Sequence, residues 1–228
     1  MTFPIVSRTV LAVLATVLLA ACATPMKMPV AKDTPAVDVS SKSLLLMTLR
    51  MSHDAKPSIT PFPRVAHVEK PGATKQEDRL NFMFDADATS VGPDGEDYLV
   101  RVDLEPGQYS FHGFSGGGGM AIFPGYFALP ILADIEVEPN TVVYLGRIEA
   151  RTRERVGNEF RAGPVAPLLD QAVTGWSTST WEVEVRDAYE SDIARFRTQF
   201  PALAETEVRK QVLPAFDREK TQKWWDAQ

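Results

Sequence analysis

A mainly β chain, an antiparallel β-sandwich with short C-terminal helices, is predicted by three observations. Apolar residues recur at every second position in successive runs, Pro-Gly and Pro-Asn turns separate several of them, and helical spacing is confined to the C-terminal stretch. In the first run Leu44, Leu46 and Thr48 share one face and Leu45, Met47 and Leu49 the other, so this strand is predicted to be central. Leu80, Phe82 and Phe84 form the next run, followed by Tyr98, Val100, Val102 and Leu104, then Tyr109 and Phe111. Ile131, Ala133, Ile135 and Val137 follow, and Trp181, Val183 and Val185 close the series. Each of these later runs alternates with mostly polar neighbours, the pattern of half-buried strands.

The stretch DLEPGQY at 103–109 is echoed by EVEPNTV at 136–142. Proline presets φ at the second turn position, and Gly107 or Asn140 tolerates the positive φ that follows, so each is predicted to join two strands as a hairpin. Near the C-terminus, Asp187 and Glu190 have capping-box spacing, and Ile193, Phe196 and Phe200 have helical spacing. Pro201 interrupts, a second helix is predicted over 203–213, Pro214 interrupts again, and a third is predicted over 216–227.

Composition narrows the function classes. With 30 acidic against 24 basic residues the net charge is −6, so no general attraction to nucleic acid is expected. The single cysteine, Cys22, closes Leu19-Ala20-Ala21-Cys22, after Arg8 and the apolar stretch 10–19. This arrangement resembles the lipobox of bacterial lipoproteins, in which the cysteine becomes the lipidated first residue of the mature chain. The resemblance implies a diacylglyceryl group and an amide-linked acyl chain such as palmitate on Cys22, enough to anchor stably where one chain would not. Ala23 rather than aspartate after the cysteine implies the outer membrane, with the domain facing the periplasm.

Four segments follow: a signal peptide over 1–21, a lipidated N-terminus and disordered tether over 22–42, a β-sandwich over 43–186, and a helical appendage over 187–228. The tether, rich in Pro, Ala, Lys and Ser, would span ~25 Å if free. The Leu104-Glu105-Pro106-Gly107-Gln108-Tyr109 turn, with Val143-Tyr144-Leu145-Gly146, resembles extracytoplasmic β-sandwich modules of bacterial lipoproteins grouped as domains of unknown function. That resemblance carries over no catalytic residue.

Several constellations invite chemistry. Gly113-Phe114-Ser115-Gly116-Gly117 satisfies G-x-S-x-G, but no histidine follows His112, as the triad order of that elbow requires. His67 precedes Ser115, as in chymotrypsin-like enzymes, yet Phe114 stands where those carry aspartate. The alternative is a glycine-rich loop, chosen for flexibility or close backbone approach. Asp85, Asp87, Thr89 and Glu96 match calcium-loop positions, but Ser90 replaces the turn glycine and Pro93 intrudes, so a solvated turn built on Gly92-Pro93-Asp94-Gly95 is the better reading of the two. His53, His67 and His112 lack paired metal-ligand spacing, and no metal or cofactor is expected.

Candidate contact residues remain. Arg147, Arg151, Arg153 and Arg155 share one face of a strand running from Thr141 through Val156, either a partner-binding stripe or a ladder with Glu182 and Glu184. The apolar segment 120–132, with Phe123, Tyr126 and Phe127, either docks a partner or crosses between sheets, and Trp224-Trp225 poses the same choice. The expectation is a non-enzymatic envelope module held to the membrane by lipid on Cys22 and binding an envelope protein. The alternatives are an envelope hydrolase and a carrier of an apolar small ligand.

Overall fold

Alternation of apolar residues builds two sheets in the computed structural model, which describes residues 26–92, 95–120, 123–164 and 171–228. In chain order the strands are β1 (Met26–Lys27), β2 (Ser43–Ser52), β3 (Phe62–Glu69), β4 (Arg79–Met83), β5 (Thr89–Gly92) and β6 (Gly95–Leu104). They continue with β7 (Gly107–Gly117), β8 (Tyr126–Val137), β9 (Val142–Glu154), β10 (Ser179–Arg186) and β11 (Arg209–Lys210). One sheet has the order β1-β4-β3-β7-β8 and the other β10-β9-β2-β6-β5, with β11 also on β9. This is the sandwich that the period-2 pattern predicts. Most pairs are antiparallel, but β2 runs parallel to β9 because the chain returns to it by way of the opposite sheet.

β2 is central, as both its faces demand. Leu45, Met47 and Leu49 enter the core between the sheets, while Leu44 and Leu46 face a second core outside, with Tyr144, Ile193, Phe196 and Phe200. Helix α1 (Tyr189–Gln199) and a short 3-10 turn at Pro201–Leu203 cover that outer face, so the C-terminal stretch is a third layer of the fold. The helix predicted over 203–213 does not form. Beyond the end of β10, residues 143–145 of β9 still offer ladder groups, and β11 takes them in extended form, with Gln211 N–H to Tyr144 O at 3.0 Å and Leu213 N–H to Leu145 O at 2.9 Å. Helix α2 (Arg218–Asp226) follows, capped by Asp217 accepting from the Lys220 N–H at 2.8 Å.

The two echoed turns are not hairpins. Each carries the chain from one sheet to the other: β6 to β7 through Glu105-Pro106, and β8 to β9 through Pro139-Asn140. Gly107 (φ 151°) and Asn140 (φ 56°) do hold the positive φ that the turn signal implied. A turn's dihedral angles do not say which strand its flanks will pair with. Here Leu104 pairs with Ser43, and Gly107 with Val137. Ser43 Oγ donates to Glu138 O at 2.5 Å and accepts from the Thr141 N–H at 3.1 Å, stapling the second arch to β2.

The N-terminal stretch 26–42, read as tether, lies against the domain. β1 pairs with β4, Met28 is buried, and Val30, Val37 and Val39 pack on the outer core. Its fastener is Arg101, which is fully buried. That guanidinium donates to Pro29 O at 3.0 Å, Leu99 O at 3.0 Å and Asp85 at 2.6 Å, and lies 4.1 Å over the Phe200 ring. A buried guanidinium needs several acceptors, and Pro29 is one that sequence distance concealed. Arg101→Leu is expected to free this strap, read as faster proteolysis within 26–42 while the remainder of the domain resists.

His53, at 2 % exposure, donates from Nε2 to Thr174 O at 3.1 Å and accepts at Nδ1 from Thr152 Oγ1 at 2.8 Å. Burial depresses its pKa below the ordinary 6.5, and burial does the same to His67. The unfolded chain therefore takes up these protons first as the pH falls. Stability is full above about pH 6.5 and declines below it, toward the lowered folded values. The urea midpoint at about pH 5 should lie below that at about pH 7.5, and His53→Gln should flatten the difference.

Candidate functional site

At the end of the sandwich opposite the arches, β7 and β8 approach their tip over a run of glycines. Gly113 to Gly117 is strand, not the loop that the sequence suggested, and close backbone approach explains its composition. At Gly113 (φ 126°) a Cβ would overlap the Leu129 carbonyl, and at Gly116 the Phe62 carbonyl. Over this floor Phe62, Met120, Phe123 and Tyr126 stand 41–45 % exposed. Phe62 is in register with Gly117, Gly117 with Tyr126, and Met120 bridges Phe123, so the four cluster. The Trp176 indole N–H donates to Gly118 O at 2.8 Å and pins the tip from behind.

Of the predicted contact residues, Phe123 and Tyr126 belong to this surface and Phe127 does not. Strand alternation turns Phe127 inward to 2 % exposure, against Trp176 and Trp181 at ring distances of 5.2 and 5.6 Å. Trp224 and Trp225 are half-buried: Trp225 packs on the inner core and Trp224 lies edge-on to His112 at 6.2 Å. Cys22 lies outside the described residues.

The arginine stripe divides. Arg147 is buried and bound to Asp97 at 3.1 Å and to Asp192. Arg153 is held by Glu182 at 2.5 Å and by Glu159, whose carboxyl Arg153 depresses to about 2. Arg155 is spent on the Glu159 carbonyl. Arg151 alone of the four is exposed, on the wall of a cleft of about 620 Å³. That cleft mixes Arg50, Glu149 and Glu182 with Met51 and Tyr98, a poor lining for an apolar ligand.

Around Arg147 lies a network that the sequence did not disclose. Asp97, fully buried, accepts from Arg50 Nε at 2.7 Å and NH2 at 3.0 Å, from Arg147, and from Arg195, while the Tyr144 hydroxyl donates to Asp192 at 2.6 Å. The only sequence signal was a carboxylate, Asp192, interrupting the apolar face of α1 beside Ile193. A cavity of about 340 Å³ opens beside it, lined by Arg50, Arg147, Arg186 and Arg195 with Glu149 and Asp187. With Asp97 and Asp192 beneath, four guanidinium groups face four carboxylates, so the formal charges balance.

On the outer face of the β3-β4-β7 sheet, His67, Asn81 and Ser115 line up. His67 Nδ1 is 2.6 Å from Asn81 Oδ1, and its Nε2 is 2.7 Å from Ser115 Oγ. With Asn81 as acceptor, Nδ1 carries the proton and Nε2 accepts one from Ser115, and burial holds the imidazole neutral. The order and spacing of His67 and Ser115 understated this arrangement, because adjacent strands bring together residues far apart in sequence. Asn81 stands where a triad's carboxylate would sit. Ser115, however, is in mid-strand, in register with Val65 on one side and Ala128 on the other, so its peptide groups belong to ladders. A transition-state oxyanion therefore finds no preorganised pair of N–H donors there.

The calcium-loop carboxylates are separately engaged, Asp85 with Arg101, Asp87 with Lys32 and Glu96 with Tyr98. Among the described residues no cluster of three His, Asp or Glu could hold a metal, and no helix is long and apolar enough to cross a membrane. No protein-family model, curated protein or solved structure matches the chain.

Proposed function

We propose that this chain is a lipid-anchored module of the cell envelope that binds another envelope component through its apolar end and performs no catalysis of its own. One observation carries the reading: Phe62, Met120, Phe123 and Tyr126 are exposed together at 41–45 % on a glycine floor pinned by a buried tryptophan. Folding leaves scattered apolar residues in water, but a cluster on rigid support marks a contact surface. The lipobox-like run ending at Cys22 supplies the address, the periplasmic face of the outer membrane.

A photo-crosslinker in place of Tyr126 in intact cells should yield one reproducible adduct, diminished by Phe123→Ser. Capture of nothing, or of the same products at an arch-end control such as Glu105, would contradict the reading. Cys22→Ser should move the protein to the soluble periplasmic fraction, and continued membrane retention would mean another anchor.

The hydrogen-bonded line of Ser115, His67 and Asn81, at 2.7 and 2.6 Å, favours a second reading, an envelope serine hydrolase. A fluorophosphonate adduct on Ser115 that disappears with His67→Ala would carry it. Without the adduct the line is a polar clasp across three strands.

A further inference from the structure

We infer that the cleft of about 620 Å³ at Arg151 is a binding site separate from the apolar end, and that it takes a short peptide by its free carboxylate and free amine. Strand register builds it. β10, β9 and β2 lie side by side, so Glu182 stands beside Arg151, and Glu184 beside Glu149 and Arg50. Alternation along each strand puts these two charged rows on one face of the sheet, with the uncharged row through Ala150 between them.

Most of that charge is already spent. Arg50 gives two bonds to Asp97, Glu149 is bound by Arg186, and Glu182 is held by Arg153 at 2.5 Å and Arg218 at 3.0 Å. Two groups are left over. Among the described residues the exposed Arg151 guanidinium makes no ion pair or hydrogen bond. The Glu184 side chain, 65 % exposed, has only Arg186 at 3.7 Å, beyond hydrogen-bond distance. A guanidinium with its N–H fork unused suits a carboxylate, and a free carboxylate suits an ammonium.

Spacing sets the length of the ligand. Glu184 is the diagonal neighbour of Arg151 across the β9-β10 pair, and such neighbours lie ~7–8 Å apart. One extended residue covers ~3.5 Å and two cover ~7 Å, so the termini of a dipeptide match where the charges of a single amino acid do not. Other classes of ligand fit less well. An apolar molecule would strip water from unpaired charges, and a phosphate-rich one would meet the carboxylates of Glu149, Glu182 and Glu184.

The probe is L-alanyl-L-alanine, titrated by calorimetry into the full chain in detergent micelles. Saturable binding is expected, weakened about tenfold or more by amidating the peptide carboxylate, by acetylating its amine, or by Arg151→Ala. The urea midpoint of Arg151→Ala should stay nearly unchanged, so that its loss of binding is not a loss of fold. Glu184→Gln should weaken the free peptide and leave the acetylated one unaffected, which assigns the amine to that carboxylate. Phe123→Ser should change nothing, which keeps this site apart from the apolar end. No saturable binding, equal binding of the free and doubly capped peptides, or binding untouched by Arg151→Ala would overturn the inference. L-alanine or inorganic phosphate binding as tightly as the dipeptide would overturn it as well.

Discussion

Asp97→Ala is expected to cost about 3–5 kcal/mol, read as a lowered urea midpoint with an unchanged slope. The carboxylate has no exposure and receives Arg50 through two bonds, with Arg147 and Arg195 beside it. Removing it leaves like charges facing one another across the seam between β2, β6, β9 and α1. Arg147 would retain only Asp192. The buried network need not stabilise the fold relative to an apolar replacement, because desolvating each ion offsets much of the attraction. Breaking it by one member is the costly change. Arg151→Ala, on the exposed part of the same strand, should stay within about 0.5 kcal/mol. If Asp97→Ala and Arg151→Ala behaved alike, the seam would not have the organisation described.

Trp176→Ala is expected to cost a similar amount, about 3–5 kcal/mol, and to act also on the proposed contact surface. The indole is fully buried, 4.2 Å from the His53 ring and 5.2 Å from Phe127, and its N–H satisfies Gly118 O. The glycine at 125 is small because a Cβ there would meet the indole. Alanine at 176 therefore opens a cavity and unpins the tip that presents Phe123 and Tyr126. Crosslinking through Tyr126 should weaken more than with a core substitution of equal cost at the arch end, such as Ile135→Ala. Equal losses from the two would separate the tip from its support.

The period of the apolar residues made the two-sheet architecture legible, and for β2 it disclosed the outer layer as well, since Leu44 and Leu46 needed a cover. The exposure of Phe123 and Tyr126 was open to the sequence as one of two choices, docking surface or crossover. What stayed hidden depended on pairing across sequence. The Pro-Gly and Pro-Asn turns specify backbone angles, which arches and hairpins share, so their topology waited for the registers of Ser43 and Val137. The strap waited for Arg101, whose need for acceptors cannot be matched to Pro29 without the fold. Asn81 and Ser115 meet at His67 only because β4 and β7 flank β3. Arg147 looked like its neighbours on the stripe until α1 covered it with Asp192.

The most direct measurement is intact mass and N-terminal fragmentation of the mature protein extracted from membranes, together with fractionation of Cys22→Ser. The account predicts a chain beginning at Cys22 that carries a diacylglyceryl group and an amide-linked acyl chain, and a Cys22→Ser variant found in the soluble fraction. A mature chain that retains residues before Cys22, or an unmodified Cys22 on a protein still bound to the membrane, would contradict it.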